Sequence, residues 1–408
     1  MKIKGRDIII TGLQAWDNDI GSNCINIAKE FAKDNRVLYV NFPLDQRTLM
    51  TGKGDPKIQK RLRIIKNEQE DLEHVEENIW TLYPRTLIQS INWIPIEPVF
   101  NFLNKRNNEK FAFEISKAAK KLKFDKFFIF NDSDMFRSFY LKELLKPELY
   151  IYYSRDNLIA VDYWKKHGIR IESELIHKSD LCTANSTYLA DYCRKYNPHS
   201  YYVGQGCDLS LFNPELIKQI PEDLQKIKGQ GKPVIGYVGA LVSLRLDIKL
   251  LEFIAENRPQ WNIVLVGPED DDFKNSKLHS FSNVHLLGAK GMETLPAYIN
   301  GFDICINPQL VNEVTIGNYP RKIDEYLAMG KPTIATKTTA MEVFADYCYL
   351  AENKEGYIES IEAALSSDNE VESKKRRAFA MTHTWENNVE EIYKAMNDVI
   401  ETREDLGL

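Results

Sequence analysis

An alternation of short apolar segments with amphipathic helical segments runs through the second half of the chain and limits its fold more than any other feature. The series begins at KPVIGYVGAL and continues through NIVLVG. Strands that alternate with helices of this length predict a parallel, doubly wound sheet. The predicted strands are residues 233–239, 262–267, 284–287, 303–307 and 332–336, and the predicted helices are residues 247–257, 292–300 and 320–329.

A second series of the same kind occupies the first half. RDIIITGL predicts a strand that ends in the loop QAWDNDIGSN, a helix capped by Ser22 follows, and RVLYVNFP is the next strand. This unit has the length of a parallel βαβ crossover. Further strands are predicted at 126–131, 149–154 and 200–206. The chain is therefore predicted to be an α/β protein with two tandem Rossmann-like domains.

The predicted domains differ in regularity. The first covers residues 1–213 and contains a less regular insertion at about 43–120. The second covers residues 214–380, and residues 381–408 form a closing segment with an amphipathic helix at about 385–402.

Composition excludes several classes of protein. No run of about 18 apolar residues occurs, so no segment is expected to span a membrane. The six cysteines are scattered without a C-x-x-C pair, so neither a metal nor a redox site is predicted. The net charge of −6 argues against a nucleic-acid-binding protein, since such a protein is usually basic over a whole domain. The chain is expected in the cytoplasm, since its apolar N-terminal run is too short for a signal peptide.

One basic stretch stands out. Residues 43–67 hold 7 Lys and Arg against 2 Asp and Glu, and the segment after them is rich in aromatic residues, Ile and Pro. One interpretation is an insertion packed on its own domain. The other is a surface for the membrane, for a lipid or for a lipid-linked substrate, because apolar side chains flanked by Lys and Arg suit an anionic interface. Whether residues 80–103 would contact a membrane or an acceptor stays open.

The segment NYPRKIDEYLAMGKPTIAT predicts a nucleotide pocket. Pro320 suits the first helical position, and the backbone N–H groups of that turn, together with Lys322, favour a phosphate. Glu325 lies one turn on, nearly on the same face, where its carboxylate can accept hydrogen bonds from a ribose diol. The alternative is an ordinary surface helix. Ligands of such sheets bind at the carboxyl ends of strands, where Gly239 and Gly267 lie.

Several segments together resemble a known family. KIDEYLAMGKPTIAT is similar to the E-A-M-A-x-G-x-P block of GT-B-fold glycosyltransferases that use nucleotide sugars (glycosyl transferases group 1, family 4-like), and GYVGALVSLRLDIKLL is similar to their G-R-L-x-x-x-K-G-x-D block. SDLCTANSTYLADYCRK, YVGQGCDLSLFNP and THTWENNVEEIYKAM resemble further blocks in family order. The resemblance covers most of residues 120–400 and looks nearest to a teichuronic-acid or capsule subset. It implies two domains that face each other across a cleft, with the acceptor on the first domain and the nucleotide-sugar donor on the second, and a last helix that crosses back to the first domain.

The resemblance also implies site residues and shows departures. Ala240 stands where the family has Arg, the family's Lys falls on Arg245, and Lys322 is expected to supply the missing second cation for the donor phosphates. Of the family's two glutamates only Glu325 is present, because position 317 is glycine. Gly21 resembles the glycine that lets the backbone approach the donor phosphate.

The expected reaction moves a sugar from a nucleotide diphosphate to a hydroxyl group without a metal or other cofactor. Arg245 and Lys322 would stabilise the leaving diphosphate. Asp156 is the candidate general base of an inverting reaction, although it could instead cap a helix or pair with Arg155. Asp17 is the second candidate. Asp132-Ser133-Asp134 matches a metal motif of a different glycosyltransferase fold and is not expected to bind metal.

These observations predict a glycosyltransferase, with a UDP-sugar donor favoured by family habit, that acts on a glycan or lipid-linked acceptor in surface polysaccharide or glycolipid synthesis. It would be peripheral to the inner face of the membrane. The rival interpretations are a nucleotide-sugar 2-epimerase and a degenerate, non-catalytic binding protein. The sugar, the acceptor, the stereochemistry and the oligomeric state stay open.

Overall fold

A computed structural model describes residues 2–18, 21–52 and 54–405. The chain divides into two compact units. Unit 1 is Met1–Gly204 with Trp385–Leu408, and unit 2 is Gln205–Thr384.

Unit 1 is built on a parallel sheet. Within the described residues it has eight strands in the order β3-β4-β2-β1-β5-β6-β7-β8, and only the pair β3–β4 is antiparallel. The inner strands are apolar runs buried on both faces, as expected when helices cover a parallel sheet. The strands are β1 (Asp7–Gly12), β2 (Arg36–Val40), β3 (Leu72–Glu76), β4 (Ile79–Leu82), β5 (Phe127–Asp132), β6 (Leu149–Ser154), β7 (Leu181–Ala184) and β8 (Ser200–Tyr202).

Helices cover the two faces of this sheet. One core contains the buried face of α1, with Ile27 and Phe31, and the other contains the buried faces of α4 and α6, with Ile115 and Leu175. The helices before the end of β8 are α1 (Asn23–Ala32), α2 (Gln46–Thr51), α3 (Pro56–Ile65), α4 (Glu97–Leu122), α5 (Leu141–Leu145), α6 (Asp162–Lys178) and α7 (Thr187–Arg194).

The region 43–120 differs from the predicted insertion. Strand β4 lies in the sheet, parallel to β2, with Val37 opposite Ile79 and Val40 opposite Leu82. Helix α4 packs on the same sheet through residues such as Phe100 and Phe111. The region is therefore part of the domain itself. Its sequence did not reveal this because the segment after IWTL is rich in Ile and Pro and lacks the regular alternation of strands with amphipathic helices.

Unit 2 has the strand order of a dinucleotide-binding fold. Its six described strands are all parallel, in the order β11-β10-β9-β12-β13-β14. Counted within the unit, this is the order 3-2-1-4-5-6, whose direction reverses between β9 and β12. The strands are β9 (Val234–Val238), β10 (Asn262–Val266), β11 (Val284–Leu286), β12 (Ile304–Asn307), β13 (Thr333–Thr336) and β14 (Tyr349–Ala351).

The helices of unit 2 follow the predicted alternation closely. The predicted helices at 247–257 and 320–329 correspond to α9 and α12, and the one at 292–300 is a short 3₁₀ turn followed by α11. The helices are α8 (Glu222–Lys228), α9 (Ile248–Asn257), α10 (Asp271–Lys274), α11 (Leu295–Gly301), α12 (Arg321–Ala328), α13 (Lys354–Ser367) and α14 (Glu370–Ala380).

The last helix, α15 (Trp385–Asp405), belongs to unit 1. Val389, Ile392 and Met396 pack into the core that contains α1, and Asn388 Nδ2 donates to the carbonyl oxygens of Val203 at 2.9 Å and Gly204 at 2.8 Å. None of the helices in the described part of the chain is long and apolar enough to cross a bilayer.

The boundary between the units lies earlier than residue 213. It falls after Gly204, because Cys207, Leu209 and Phe212 are buried in the core of unit 2. The second boundary falls after Thr384 rather than residue 380, since Cys207 N donates to the carbonyl oxygen of His383 at 2.9 Å.

Gly236 in β9 provides a test of core packing in unit 2. A Cβ at this position would lie 2.1 Å from the nearest ring atom of Phe302, which is buried beneath the strand. We therefore expect Gly236→Ala to lower the free energy of unfolding by about 1–3 kcal/mol through overpacking. Urea unfolding measures the change. The double variant Gly236→Ala with Phe302→Leu should recover part of the loss, and an unchanged midpoint for the single variant would contradict the packing.

Candidate functional site

A cavity of about 390 Å³ opens in unit 2 at the carboxyl ends of β9 and β12. This is the point where the strand order reverses, and ligands of such sheets bind at this place. Its size is that of a small-molecule pocket. Its lining comes mainly from the end of β9, the loops after β9 and β12, and the first turn of α12. The lining residues include Tyr237, Gly239, Arg245, Asn307, Tyr319, Pro320, Arg321, Lys322 and Glu325.

The first turn of α12 forms one wall. Pro320 caps the helix, one position before the predicted one, and Arg321 is its first residue. The N–H groups of a first helical turn have no acceptor within the helix, and the positive end of the helix dipole adds to their attraction for an anion. Pro320, Arg321 and Lys322 all line the cavity. The prediction that this turn faces a pocket is thus consistent with the structure.

Gly239 makes room for Lys322. Its φ is 137°, and a Cβ there would lie 2.0 Å from Lys322 Cε and 2.8 Å from Nζ. The ammonium group lies 5.7 Å from the centre of the Tyr237 ring, close enough for a cation–π contact. A glycine at the end of β9 therefore allows the lysine side chain to lie across the end of the strand.

Gly267 has a different role from the predicted one. It does not line the cavity. A Cβ at this position would lie 1.9 Å from the carbonyl oxygen of Gly239, so the glycine permits the chain after β10 to approach the chain after β9. It shapes the backbone that carries Gly239 and does not itself face the pocket.

Arg245 lies on the same cavity as Lys322. Its side chain is exposed, and its loop is held by backbone hydrogen bonds: Arg245 N donates to the Val242 oxygen at 2.9 Å, and Leu310 N donates to the Arg245 oxygen at 2.8 Å. The two cations predicted to bind a donor diphosphate, from segments far apart in sequence, therefore meet at one pocket.

Glu325 is half-buried and lines the same cavity. Burial raises the pKa of its carboxyl group, while Lys322 and Arg321 lower it and do not fully compensate. Among the described residues, no protein group forms a hydrogen bond with the Glu325 side chain, so its oxygens are available to a ligand with hydroxyl groups.

The neighbouring acid, Asp324, was not predicted. It is fully buried and accepts hydrogen bonds from Cys207 Sγ at 3.2 Å, from the Tyr319 hydroxyl at 3.2 Å and from His383 Nδ1 at 2.6 Å. Burial and the Asp324 charge raise the pKa of the Cys207 thiol, which keeps it a donor. Tyr319 also lines the cavity. The sequence carried no signal for this cluster, because Cys207 and His383 lie far from Asp324 along the chain.

Unit 1 holds the candidate base. Asp156 follows β6, is partly exposed, and accepts a hydrogen bond from Arg155 Nη1 at 3.1 Å. Arg155 Nε also donates to Asp132 Oδ1 at 2.7 Å. Burial lowers the pKa of Arg155, but the charges of Asp132 and Asp156 outweigh it, so that the pKa is raised and the guanidinium stays charged. The sequence left open that Asp156 pairs with Arg155 instead of acting as a base, and this pairing is present in the structure. The role of Asp156 as a base stays a prediction.

Two other predicted features of unit 1 are the D-x-D triplet and Gly21. Asp134 is tied to Arg137 Nε at 2.9 Å while Asp132 is tied to Arg155, so the two acids of the D-x-D triplet have separate arginine partners. Gly21 is exposed just before α1, and a Cβ there would meet no atom within 4 Å. Packing does not require glycine at this position, and its role at a donor phosphate stays a prediction.

Solved structures define the class of fold. Sucrose-phosphate synthase from Thermosynechococcus elongatus has a TM-score of 0.65 and 15% identity, with 98% of this chain and 100% of that chain covered. HepE from Anabaena, solved in complex with UDP, has a TM-score of 0.64 and 14% identity, with 96% and 100% covered. Such low identities show the fold alone. The fold is GT-B, as predicted.

Sequence comparisons agree with this class of fold. Residues 232–367, most of unit 2, match the family model of Glycosyl transferases group 1. TuaH of Bacillus subtilis strain 168, named as a teichuronic acid biosynthesis glycosyltransferase, is 27% identical over 242 residues. The match covers 57% of this chain and 60% of that protein, less than two thirds of the relative's length. The predicted resemblance is confirmed.

The half-buried carboxyl group of Glu325 predicts a pH-dependent stability. Its folded-state pKa is raised above the ordinary value of 4.5. Between the two values the folded state binds more protons than the unfolded state, so this group's contribution falls as pH rises and is unfavourable at pH 7. We expect Glu325→Gln to raise the Tm of the ligand-free protein at pH 7, and the gain to vanish below the ordinary carboxyl pKa.

Differential scanning calorimetry between pH 4 and pH 8 measures this difference. The matched control is Glu359→Gln, on the exposed face of α13. In a Lys322→Met background the gain from Glu325→Gln should be larger, because the lysine lowers the carboxyl pKa. A loss of stability at pH 7, or a gain independent of pH, would contradict the assignment.

Proposed function

We propose that the protein transfers a sugar from a nucleotide diphosphate sugar, with UDP as the favoured nucleotide, to a hydroxyl group of a glycan or lipid-linked acceptor. The observation that carries the proposal is a cavity at the reversal point of the unit 2 sheet. It is lined by Arg245, Arg321 and Lys322 against the one carboxylate of Glu325 among the described lining residues. Three cations and one acid suit a diphosphate with an attached ribose.

Each group has a place in the proposed reaction. The leaving diphosphate gains negative charge as the bond from the sugar to the diphosphate oxygen breaks. Lys322, Arg245 and the first turn of α12 can stabilise this charge without a metal. Glu325, with its free oxygens, can accept hydrogen bonds from the two ribose hydroxyls and thereby orient the nucleotide.

The support for uridine comes from the structural neighbours. HepE from Anabaena was solved with UDP and also with UDP and glucose. The curated relative is named for teichuronic acid biosynthesis, which supports synthesis of a surface polysaccharide or glycolipid as the role of this chain. Cytoplasmic nucleotide sugars would be the donors.

Asp156 is proposed as the base of an inverting transfer. It would accept the proton of the acceptor hydroxyl as that oxygen attacks the sugar. Arg155, held by Asp132 at 2.7 Å, orients the Asp156 carboxylate through the hydrogen bond of 3.1 Å. The anomeric configuration of the product, measured directly, should be opposite to that of the donor if the transfer is inverting.

Two rival functions, a 2-epimerase and a non-catalytic binding protein, can be distinguished from the proposed transferase. A 2-epimerase needs several acid–base groups near the sugar, whereas the described lining residues of the unit 2 cavity include one carboxylate, Glu325. A binding protein without activity would hold the nucleotide sugar unchanged. Release of UDP from a UDP-sugar, with transfer to an acceptor, would separate the proposed function from both.

We also infer an anionic membrane surface as a partner of unit 1. Trp93 is 73% exposed and Phe102 is 58% exposed, and Ile96 and Val99 between them are also exposed. Basic groups lie beside them: Arg106 is 5.1 Å from the Phe102 ring, and Lys166 Nζ donates to the Trp93 oxygen at 2.7 Å. Exposed apolar side chains next to cations are typical of interfacial binding to anionic lipids.

The donor site is tested by nucleotides that lack single groups. Lys322→Ala should weaken UDP binding by roughly ten- to a hundredfold, the effect of a lost charge-assisted hydrogen bond, but should not change uridine binding. Glu325→Gln should weaken binding of UDP more than that of 2′-deoxy-UDP, which has only the 3′-hydroxyl left to donate to the carboxylate. Isothermal titration calorimetry measures each affinity.

The control variant is Lys337→Ala, an exposed lysine that pairs with Glu352 and does not line the cavity. It should bind UDP as the wild type does. A parallel thermal-shift panel of UDP, GDP and ADP identifies the base. If none of the three nucleotides raises the Tm of the wild type, or if both variants bind UDP normally, the donor site lies elsewhere.

The membrane surface is tested by vesicle sedimentation. Wild type should bind vesicles that contain phosphatidylglycerol more strongly than pure phosphatidylcholine vesicles, and less strongly as salt rises. Trp93→Ser with Phe102→Ser should reduce binding, because burial of these side chains contributes to the affinity. Val371→Ser, at an exposed apolar residue of unit 2, is the matched control. Equal binding by the double variant would contradict the surface.

A further inference from the structure

A second cavity, of about 340 Å³, lies within unit 1. It opens at the carboxyl ends of β1 and β2, between the loop after β1, the segment after β2 and helix α3. Its volume is at the lower end of the range for small-molecule pockets. Phe42, Leu44 and Ile58 form apolar walls, and Asp17 and Arg61 supply polar groups.

Arg61 is buried, with 8% of its surface exposed. Its Nη1 donates to the Phe42 oxygen at 3.3 Å, and its guanidinium lies 4.8 Å from the Phe42 ring centre. Within the described residues its Nε has no hydrogen-bond partner. A buried donor without a partner is unfavourable, and a ligand that supplies an acceptor would satisfy the Arg61 Nε.

The two carboxylate oxygens of Asp17 are also buried and without a hydrogen-bond partner among the described residues, although 22% of the side chain is exposed. The nearest charge is Arg61 Nη2, 3.6 Å from Asp17 Oδ1, which is longer than a hydrogen bond. A carboxylate and a guanidinium that face one cavity, each with unused hydrogen-bonding capacity, can both be satisfied by a ligand that carries hydroxyl groups.

The charge balance of this cavity indicates a neutral ligand. The charged residues that line it are Asp17 and Asp55 against Lys57 and Arg61. A free anion would meet the Asp17 carboxylate, and a cation would meet the Arg61 guanidinium. A hydroxyl group can donate to the first and accept from the second, and the apolar walls can contact the C–H face of a sugar ring.

We propose that this cavity binds one neutral sugar unit of the acceptor. In it, Asp17 accepts hydrogen bonds from ring hydroxyl groups and Arg61 Nε donates to one of them. The proposal rests on the proposed transferase function, since it gives the acceptor a chemical class: a glycan with an uncharged sugar at the bound position.

The test uses saturation-transfer NMR and titration with methyl glycosides of glucose, galactose, mannose and N-acetylglucosamine. Glucuronate and inorganic phosphate are the anionic probes. At least one neutral glycoside should bind the wild type, and Asp17→Asn should weaken it by about tenfold or more, the effect of losing charged hydrogen bonds. Asp17→Asn keeps the size of the side chain, so the fold should persist, and a melting curve verifies this.

Two further variants make the result specific. Ala15→Leu adds volume to the wall of the cavity and should also reduce glycoside binding. Asp191→Asn, at an exposed acid that pairs with Arg194, is the matched control and should bind like the wild type. UDP affinity is measured on every variant and should not change, because the UDP cavity is built from residues of unit 2.

Each outcome decides the proposal. If UDP binds but no neutral glycoside does at 100 mM, the acceptor proposal is overturned and the donor site stands. If glucuronate or phosphate binds instead, and binds more tightly to Asp17→Asn, the cavity is an anion site. If glycosides bind but UDP does not, the sugar cavity stands and the transferase function fails. Glycoside binding equal in the wild type and Asp17→Asn would place the sugar elsewhere.

Discussion

The position of α12 in unit 2 depends on a buried carboxylate. Asp324 is fully buried, and removing a charge from water without partners costs several kcal/mol. Cys207, Tyr319 and His383 supply three hydrogen bonds to it. On another face of the helix, Val238 N donates to the Tyr326 hydroxyl at 3.1 Å, which ties α12 to β9. These bonds hold the first turn, and with it the residues that line the cavity, in one place.

Two neighbouring acids on this helix have opposite environments. Asp324 has partners on both carboxylate oxygens, whereas Glu325 faces the cavity and burial raises its pKa. The hydrogen bonds of Asp324 hold the fold in place. The Glu325 carboxylate can still accept hydrogen bonds from a ligand, but its partial burial lowers the stability of the protein. Binding sites often retain such unfavourable groups because function requires them. The contrast separates a structural acid from a candidate ligand-binding acid better than either position in sequence could.

Much of unit 2 could be predicted because its signals are local. Strands β9, β10 and β12 of this unit are buried runs of four or five residues. Lys322 and Glu325 lie one turn apart on a helix, so their common face follows from helical geometry. Asp324 could not be assigned in this way, since Cys207 and His383 are distant from it in sequence. Gly267 resembled a ligand glycine, but only the structure shows that it faces the Gly239 backbone. Strand β4 was missed because it lies in a segment without the regular alternation of strands and helices.

The two cavities differ in charge, and this difference bears on which substrate each would hold. Arg245, Arg321 and Lys322 outnumber Glu325 around the cavity of unit 2, so its field favours a diphosphate. The cavity of unit 1 has equal numbers of acids and bases, and its unsatisfied groups are one carboxylate and one guanidinium nitrogen. A neutral polyhydroxyl group matches that pair better than either ion does. The charges within each unit therefore support the proposed assignment of the donor to unit 2 and of the acceptor sugar to unit 1.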